Sequence, residues 1–231
     1  DELGVTELSK KLKLHKNNVF RILATLQSRN YIEQNKSNDN YKLGIKCLEL
    51  GQIFIRQRGL LKQAKGILQE LAEATGETSY ISCLRGNEIV YLDAVEGTST
   101  VRVVLRVGLH MPFYATASGK AMVAFESDEE IADRLAGEPR KFTKNTKNTP
   151  EALLQDLKEV REKGYATDLE EMEEGLRCVA APIRDYTRKV IGAISLSGPA
   201  NRVSDERIVE VLGSTILRAT STLSSKLGYR E

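Results

Sequence analysis

The sequence predicts an α+β fold in two parts, on three observations. Residues 4–43 carry two short helical patterns joined by a tight turn and followed by a basic β-hairpin. From Leu60 onward, strand-like runs separated by short polar turns are flanked by amphipathic helices, the pattern of a central antiparallel sheet with helices on it. The charge divides at the same place. Residues 1–60 hold eleven Lys/Arg against six Asp/Glu, a net +5, whereas residues 61–231 are net −3, so a whole-chain charge of +2 hides a basic head on an acidic body. At 231 residues the chain is also long for one domain.

The head begins with a helix for which Thr6 is the expected N-cap and Glu7 a favourable first-turn charge. Val5, Leu8 and Leu12 mark its inner side, and Leu14 packs the turn. A second helix is expected from about Lys16 to Arg29. Val19, Ile22, Leu23 and Leu26 fall at i, i+3, i+4 and i+7 and predict one buried stripe. The opposite face carries Asn17, Arg21, Ala24 and Ser28, flanked by Asn18 and Thr25. Asn side chains suit adenine, and Arg suits guanine or phosphate. Next, Tyr31–Gln34 and Tyr41–Leu43 alternate as strands around the polar turn 35–40, which makes a wing with Lys36 and Lys42 placed for phosphates.

Helix, turn, helix and wing in this order predict a winged helix-turn-helix over residues 1–44, with Lys16, Asn17, Asn18, Arg21, Thr25, Lys36 and Lys42 on double-stranded DNA. One such head makes few phosphate contacts, so two heads on one duplex are expected. Residues 45–59 offer a linker helix for pairing: Ile45, Leu48, Leu50, Ile53 and Phe54 are too apolar for a free linker, and Gly59 ends the pattern. The same side chains could also pack on the head's own core.

In the body, Leu60–Leu71 reads as an amphipathic helix stopping at Gly76. Strands are expected at Thr78–Leu84, Ile89–Val95 and Thr100–Val107, with a hairpin turn at Arg85–Asn87. Pro112 and Gly119 frame an extended segment leading into an Ala-rich helix, Ser118–Phe125. A helix over Glu151–Lys163 starts after Pro150 and stops at Gly164. Leu176–Arg184 and Val190–Ser197 are strands, and a last helix runs from about Ser204 to Leu227.

Enzymatic and metal chemistries find little support in the residues. There are two histidines, His15 at the head's turn, where capping or phosphate contact is natural, and His110. No P-loop, H-E-x-x-H, G-x-S-x-G or C-x-x-C pattern occurs. Cys83, Cys178 and Asp168 give no metal-ligand spacing, and the run Glu170–Glu174 reads as a solvated surface. The three cysteines, Cys47, Cys83 and Cys178, are odd in number and widely spaced, which argues against a disulfide framework and for a reducing cytoplasm. No run is long and apolar enough to span a membrane. Two other readings keep the same head. One makes Cys178 a redox switch beside Arg177, although adjacency on a strand puts the two on opposite faces. The other makes the body a small-molecule enzyme with a vestigial head.

The head, together with YATASGKAMVAF (114–125), GYATDLEEMEEGLRCVAAPIRD (164–185) and GAISLSGP (192–199), resembles the IclR family of bacterial transcriptional regulators over essentially the whole chain. The resemblance implies a ligand-responsive regulator, typically a repressor of a catabolic operon, acting as a dimer or dimer of dimers on operator DNA. It implies a GAF/PAS-like body over residues 60–231, for effector binding and oligomerisation, with a small organic acid as effector and no cofactor. It also implies one more helix ahead of the point where this sequence starts, and so a head lacking its first helix as written. By motif it places Ala117, Ser118, Asp168, Cys178, Ser195 and Ser197 at the effector, with hydroxyls and the amides near Ser118–Lys120 as donors to a carboxylate. Asp168 is awkward opposite an anion and is expected to accept from a ligand hydroxyl or a water.

Overall fold

A computed structural model describes residues 2–50, 59–134 and 139–230. The chain divides into two compact units, residues 1–59 and 60–231.

In the smaller unit, α1 spans Val5–Leu12 and α2 spans Lys16–Ser28, followed by β1 (Ile32–Gln34) and β2 (Tyr41–Leu43). The N-cap of α1 is Gly4, not Thr6, so no side chain caps the helix. The cause lies across the hairpin. Leu3 and Tyr41 exchange both backbone hydrogen bonds at 2.9 Å, which fixes where the extended chain stops and starts the helix two residues early. Lys13 ends α1 at φ +54°, and the Ser9 hydroxyl donates to Leu14 O at 2.6 Å to close the turn. Between β1 and β2, Asn35 Oδ1 accepts from the Ser37 amide and hydroxyl, and Asn38 Oδ1 accepts from the Asn40 amide. Such side-chain-to-backbone bonds explain why this turn is rich in Asn.

Val19 and Leu23 of α2 are buried against Tyr41, with Val5, Leu8 and Ile32 packed around them. The other half of the predicted stripe is not buried: Ile22 is 47% exposed and Leu26 36%. α1 and the hairpin cover only the Val19–Leu23 line, and Ile22 and Leu26 join Leu3, Leu12 and Leu43 around an open apolar concavity of about 390 Å³. Residues 45–50 are helical. The rest of the predicted linker helix, including Ile53 and Phe54, falls mostly outside the described residues.

The larger unit is built on one six-stranded antiparallel sheet of order β5-β4-β3-β8-β7-β6. The strands are β3 (Thr78–Arg85), β4 (Glu88–Val95), β5 (His110–Pro112), β6 (Ala166–Leu169), β7 (Leu176–Arg184) and β8 (Val190–Pro199). Helices α3 (Gly59–Thr75), α4 (Ala117–Val123), α5 (Asp128–Arg134), α6 (Pro150–Lys163) and α7 (Gly213–Lys226) flank it, with a π-helical segment, Ile208–Leu212, leading into α7. Thr149 caps α6 by accepting from the Ala152 amide, and Gly164 ends it at φ +77°.

Strand alternation gives the sheet two different faces. Ile81, Val179, Ile183, Ile194 and Leu196 pack on Leu61, Ile67, Leu68 and Leu71 of α3 and on Ile216 and Leu223 of α7. On the other face Tyr80, Ile89, Tyr91, Cys178, Ala180 and Ala193 meet Ala117, Ala121 and Met122 of α4 and Leu153 and Leu157 of α6. Glu77, between α3 and β3, is buried and gripped by Arg202 (2.6 and 2.8 Å) and Arg207 (2.8 Å).

The predicted strand Thr100–Val107 does not form. Its alternation is genuine, because Val103 and Leu105 are half-buried while Arg102, Val104 and Arg106 are exposed, but its backbone joins no ladder. Short β6 and α5 were not anticipated. In β6 the inward positions are Ala166 and Asp168, and an inward carboxylate disguises a strand's hydrophobic rhythm.

Candidate functional site

In the head, Lys16, Asn17, Asn18, Arg21 and Thr25 are all exposed along α2. Asn18, Arg21 and Thr25 line one shallow concavity with Leu14, Ile22 and Leu26, so an amide, a guanidinium and a hydroxyl stand side by side. The Thr25 hydroxyl donates to Arg21 O at 2.9 Å, which leaves it an acceptor. His15 is the N-cap of α2 but makes no side-chain capping bond, so of the two roles expected of it, capping or phosphate contact, the first is not realised. Lys36 is exposed in the wing turn, and Lys42 makes a long, exposed contact with Glu33 at 3.8 Å. Such a contact is worth ~0–1 kcal/mol, so Lys42 can leave it for a phosphate.

In the body, the ladder register lines up the predicted effector residues. Asp168 pairs with Cys178, Cys178 with Ser197, and Ser197 with Thr78, so one row of side chains crosses β6, β7, β8 and β3. The adjacent row is Ala166, Ala180, Ser195 and Tyr80. By alternation both rows face α4, which crosses β6, β7 and β8 and carries Ala117 and Ser118. All six predicted residues are buried.

α4 can come this close because Gly119 has no side chain. A Cβ there would stand 2.3 Å from Phe113 Cα and O. The expected amide donors are partly used. Thr116 accepts from Gly119 N through its hydroxyl and from Lys120 N through its carbonyl, leaving the amides ahead of them.

The hydroxyls of Ser195 and Ser197 are buried and meet no oxygen or nitrogen hydrogen-bond partner among the described residues. Ser197 lies against the Cys178 thiol, a weak partner that pulls the thiol down only slightly against its burial. Leaving a buried hydroxyl unpaired costs ~1–3 kcal/mol, so two on one face mark a place built for polar company.

Asp168 is sealed at 1% exposure, and its Oδ1 accepts from Glu171 N at 2.7 Å. Burial pushes its carboxyl up to about 7, against the pull of Lys120 and of that amide. Near neutrality it therefore carries its proton part of the time, and in that form it can donate to an anion.

Sequence reasoning gave the Lys120 side chain no role, although it is fully buried, 2.7 Å from Asp156 Oδ2 and 2.7 Å from Glu171 Oε1. Burial alone would lower its ammonium, but Glu171 and Asp156 outweigh it and hold the group above its usual range. Lys147 closes the cluster on Asp156. The acidic run 170–174 is thus not uniformly a solvated surface: Glu173 and Glu174 are exposed, but Glu171 is turned inward to Lys120. A clue was available. α4 is Ala-rich and has no polar face, so a lysine within it must find carboxylates inside.

The redox reading of Cys178 is not supported. Burial pushes its thiol well above the usual range, the opposite of a reactive thiolate. Arg177 pairs with Asp205 at 2.9 Å and with Glu170 at 3.4 Å, away from the sulfur. His110 sits exposed beside Glu88 on the edge of the sheet. Among the described residues no helix is long and apolar enough to cross a membrane.

Comparison with known proteins agrees with both units. Residues 1–36 match the IclR helix-turn-helix domain, and residues 52–225 match the bacterial transcriptional regulator IclR C-terminal domain. The HTH-type transcriptional regulator XynR of Escherichia coli (strain K12) is 38% identical over 229 residues, covering 99% of this chain and 90% of XynR. The transcriptional repressor IclR of the same organism is 31% identical over 229 residues, covering 98% of this chain and 83% of that protein. The crystal structure of the Thermotoga maritima IclR superposes with a TM-score of 0.78 at 31% identity, covering 99% of this chain and 92% of that one. With a winged head of this geometry and matches that span both units, the chain belongs to the IclR family of bacterial transcriptional regulators.

Proposed function

We propose that this regulator represses its target by holding operator DNA with paired winged heads, and that a small organic acid bound in the body changes that grip. The observation that carries the acid site is the pair of unpartnered buried hydroxyls, Ser195 and Ser197, in register with Cys178, Asp168 and the α4 face. A carboxylate there would accept from both hydroxyls and from protonated Asp168, while Ala117 and Cys178 form its apolar wall. A ligand can move the regulator only by its differential affinity for two arrangements of the dimer.

In this reading the chain is not an enzyme, takes no cofactor, works in the cytoplasm, and assembles as a homodimer or dimer of dimers. Repression is supported by the printed name of the E. coli relative, transcriptional repressor IclR. Asn17, Asn18, Arg21 and Thr25 read bases, and Lys16, Lys36 and Lys42 meet phosphates.

A thermal-shift screen of small organic acids tests the site. An acid that stabilises the wild type should lose at least tenfold in affinity in Ser195→Ala and Ser197→Ala. An unchanged affinity in both variants places the ligand elsewhere.

A further inference from the structure

Residues 97–109, between β4 and β5, are held down by side chains rather than by a strand ladder. Val103 O accepts from Thr78 Oγ1 at 2.7 Å and from the Tyr80 hydroxyl at 3.0 Å. The same Tyr80 oxygen accepts from Leu105 N at 3.0 Å, and Thr78 Oγ1 accepts from Gly97 N at 3.1 Å. Ser99 Oγ also donates to Gly76 O at 3.1 Å, and farther on Gly108 N and Leu109 O pair with the main chain of Tyr91. Val103 and Leu105 pack against the cluster that contains Cys178 and Ala117.

The two tethers stand at telling places. Thr78 is the ladder partner of Ser197, and Tyr80 is the ladder partner of Ser195. Each unpartnered hydroxyl therefore lies one strand away from a side chain that holds the segment shut. Burial lifts the Tyr80 phenol to about 12, so it remains protonated and can donate and accept at once.

We propose that Thr78 and Tyr80 are positioning residues that clasp residues 97–109 as a strap over the acid site, so that ligand enters and leaves by release and reclosure of this clasp. The proposal rests on the acid-site reading above and adds its gate. Segments held by few hydrogen bonds and half-buried side chains open locally, without global unfolding.

Alkylation of Cys178 by iodoacetamide in the native full chain tests the clasp with no acid present. Labelled peptides are resolved by mass, and buried Cys83 in β3 serves as the internal control. Tyr80→Phe keeps the ring and removes one oxygen. It should raise the Cys178 rate at least tenfold and leave Cys83 unchanged, and Thr78→Val should act in the same direction. An unchanged Cys178 rate in Tyr80→Phe overturns the proposal, as does a parallel rise at Cys83, which marks general loosening.

Wild-type hydrogen exchange gives an arm that no folding defect touches. The Leu105 amide should exchange by local opening, insensitive to low urea and at least tenfold faster than the β8 ladder amides. Exchange only through global unfolding overturns the clasp. Because both arms run without acid, they separate the two ideas. Ser195→Ala and Ser197→Ala variants that bind acid normally would refute the site and leave the clasp standing. Lost acid binding with an unaltered strap would do the reverse.

Discussion

Lys120 Nζ lies 2.7 Å from Glu171 Oε1, with both side chains shut away from water and Asp156 on the other side at 2.7 Å. Removing one member of such a cluster leaves the others charged and uncompensated. Lys120→Met should cost about 3–5 kcal/mol in urea unfolding, and adding Glu171→Gln should recover part of it. A loss under about 1 kcal/mol would mean that water reaches the cluster.

Asp168 makes stability depend on pH in an unusual sense for a carboxylate. Its folded value of about 7 lies above the ~3.9 of an unfolded chain, so the folded state holds the extra proton between the two. The favourable contribution is complete below about pH 4 and disappears as pH rises through about 7. Asp168→Asn should flatten that slope, with the variant gaining on the wild type at pH 8 relative to pH 5. Thermal melts at the two values check it, and parallel pH profiles would count against a buried, protonatable Asp168.

Arg21 and Lys36 should fail differently on DNA. Arg21→Ala should weaken operator binding by about 1–3 kcal/mol and spare random DNA. Lys36→Ala should weaken both alike and reduce the salt slope by about one unit. Mobility shifts over a salt series separate them, and equal losses on both DNAs for Arg21→Ala would make it a phosphate contact only.

Gly119→Ala should disturb the site without adding polarity. The new Cβ would meet Phe113 backbone at 2.3 Å, and backbone cannot swing aside as a side-chain tip can. A cost of about 1–3 kcal/mol is expected, together with loosening of α4. A melting temperature within one degree of wild type would show that α4 has room to shift.

The head was legible because helix and hairpin signals are local. Arg21 and Asn18 needed only the 3.6-residue period to be placed on the outer face of α2. Ile22 and Leu26 misled because a period marks an apolar line and not what covers it. In the body, Ser195, Ser197 and Cys178 could be named from their motifs, but their alignment with Thr78 and Tyr80 depends on β3 pairing with β8, strands more than a hundred residues apart. Glu171 and Lys120 were opaque for a related reason: a charge run looks solvated until a distant lysine turns one member inward. The segment 100–107 had a strand's alternation but lacked a neighbour to pair with.

The two unlike faces of the sheet make it a wall with a hard side and a soft side. Branched and long aliphatic chains fill the side toward α3 and α7, and Ala, Ser and Cys line much of the side toward α4. The rows of Ala, Ser and Cys beneath α4 are where the acid of the proposed function would lie. In the proposed reading, an acid bound there must act across one strand's thickness to be felt beyond it. β3 is built for that passage: Tyr80 looks to the soft side, while its neighbour Ser79 donates to Leu68 O of α3 at 2.8 Å. A tug on one residue is thereby a tug on the helix behind it.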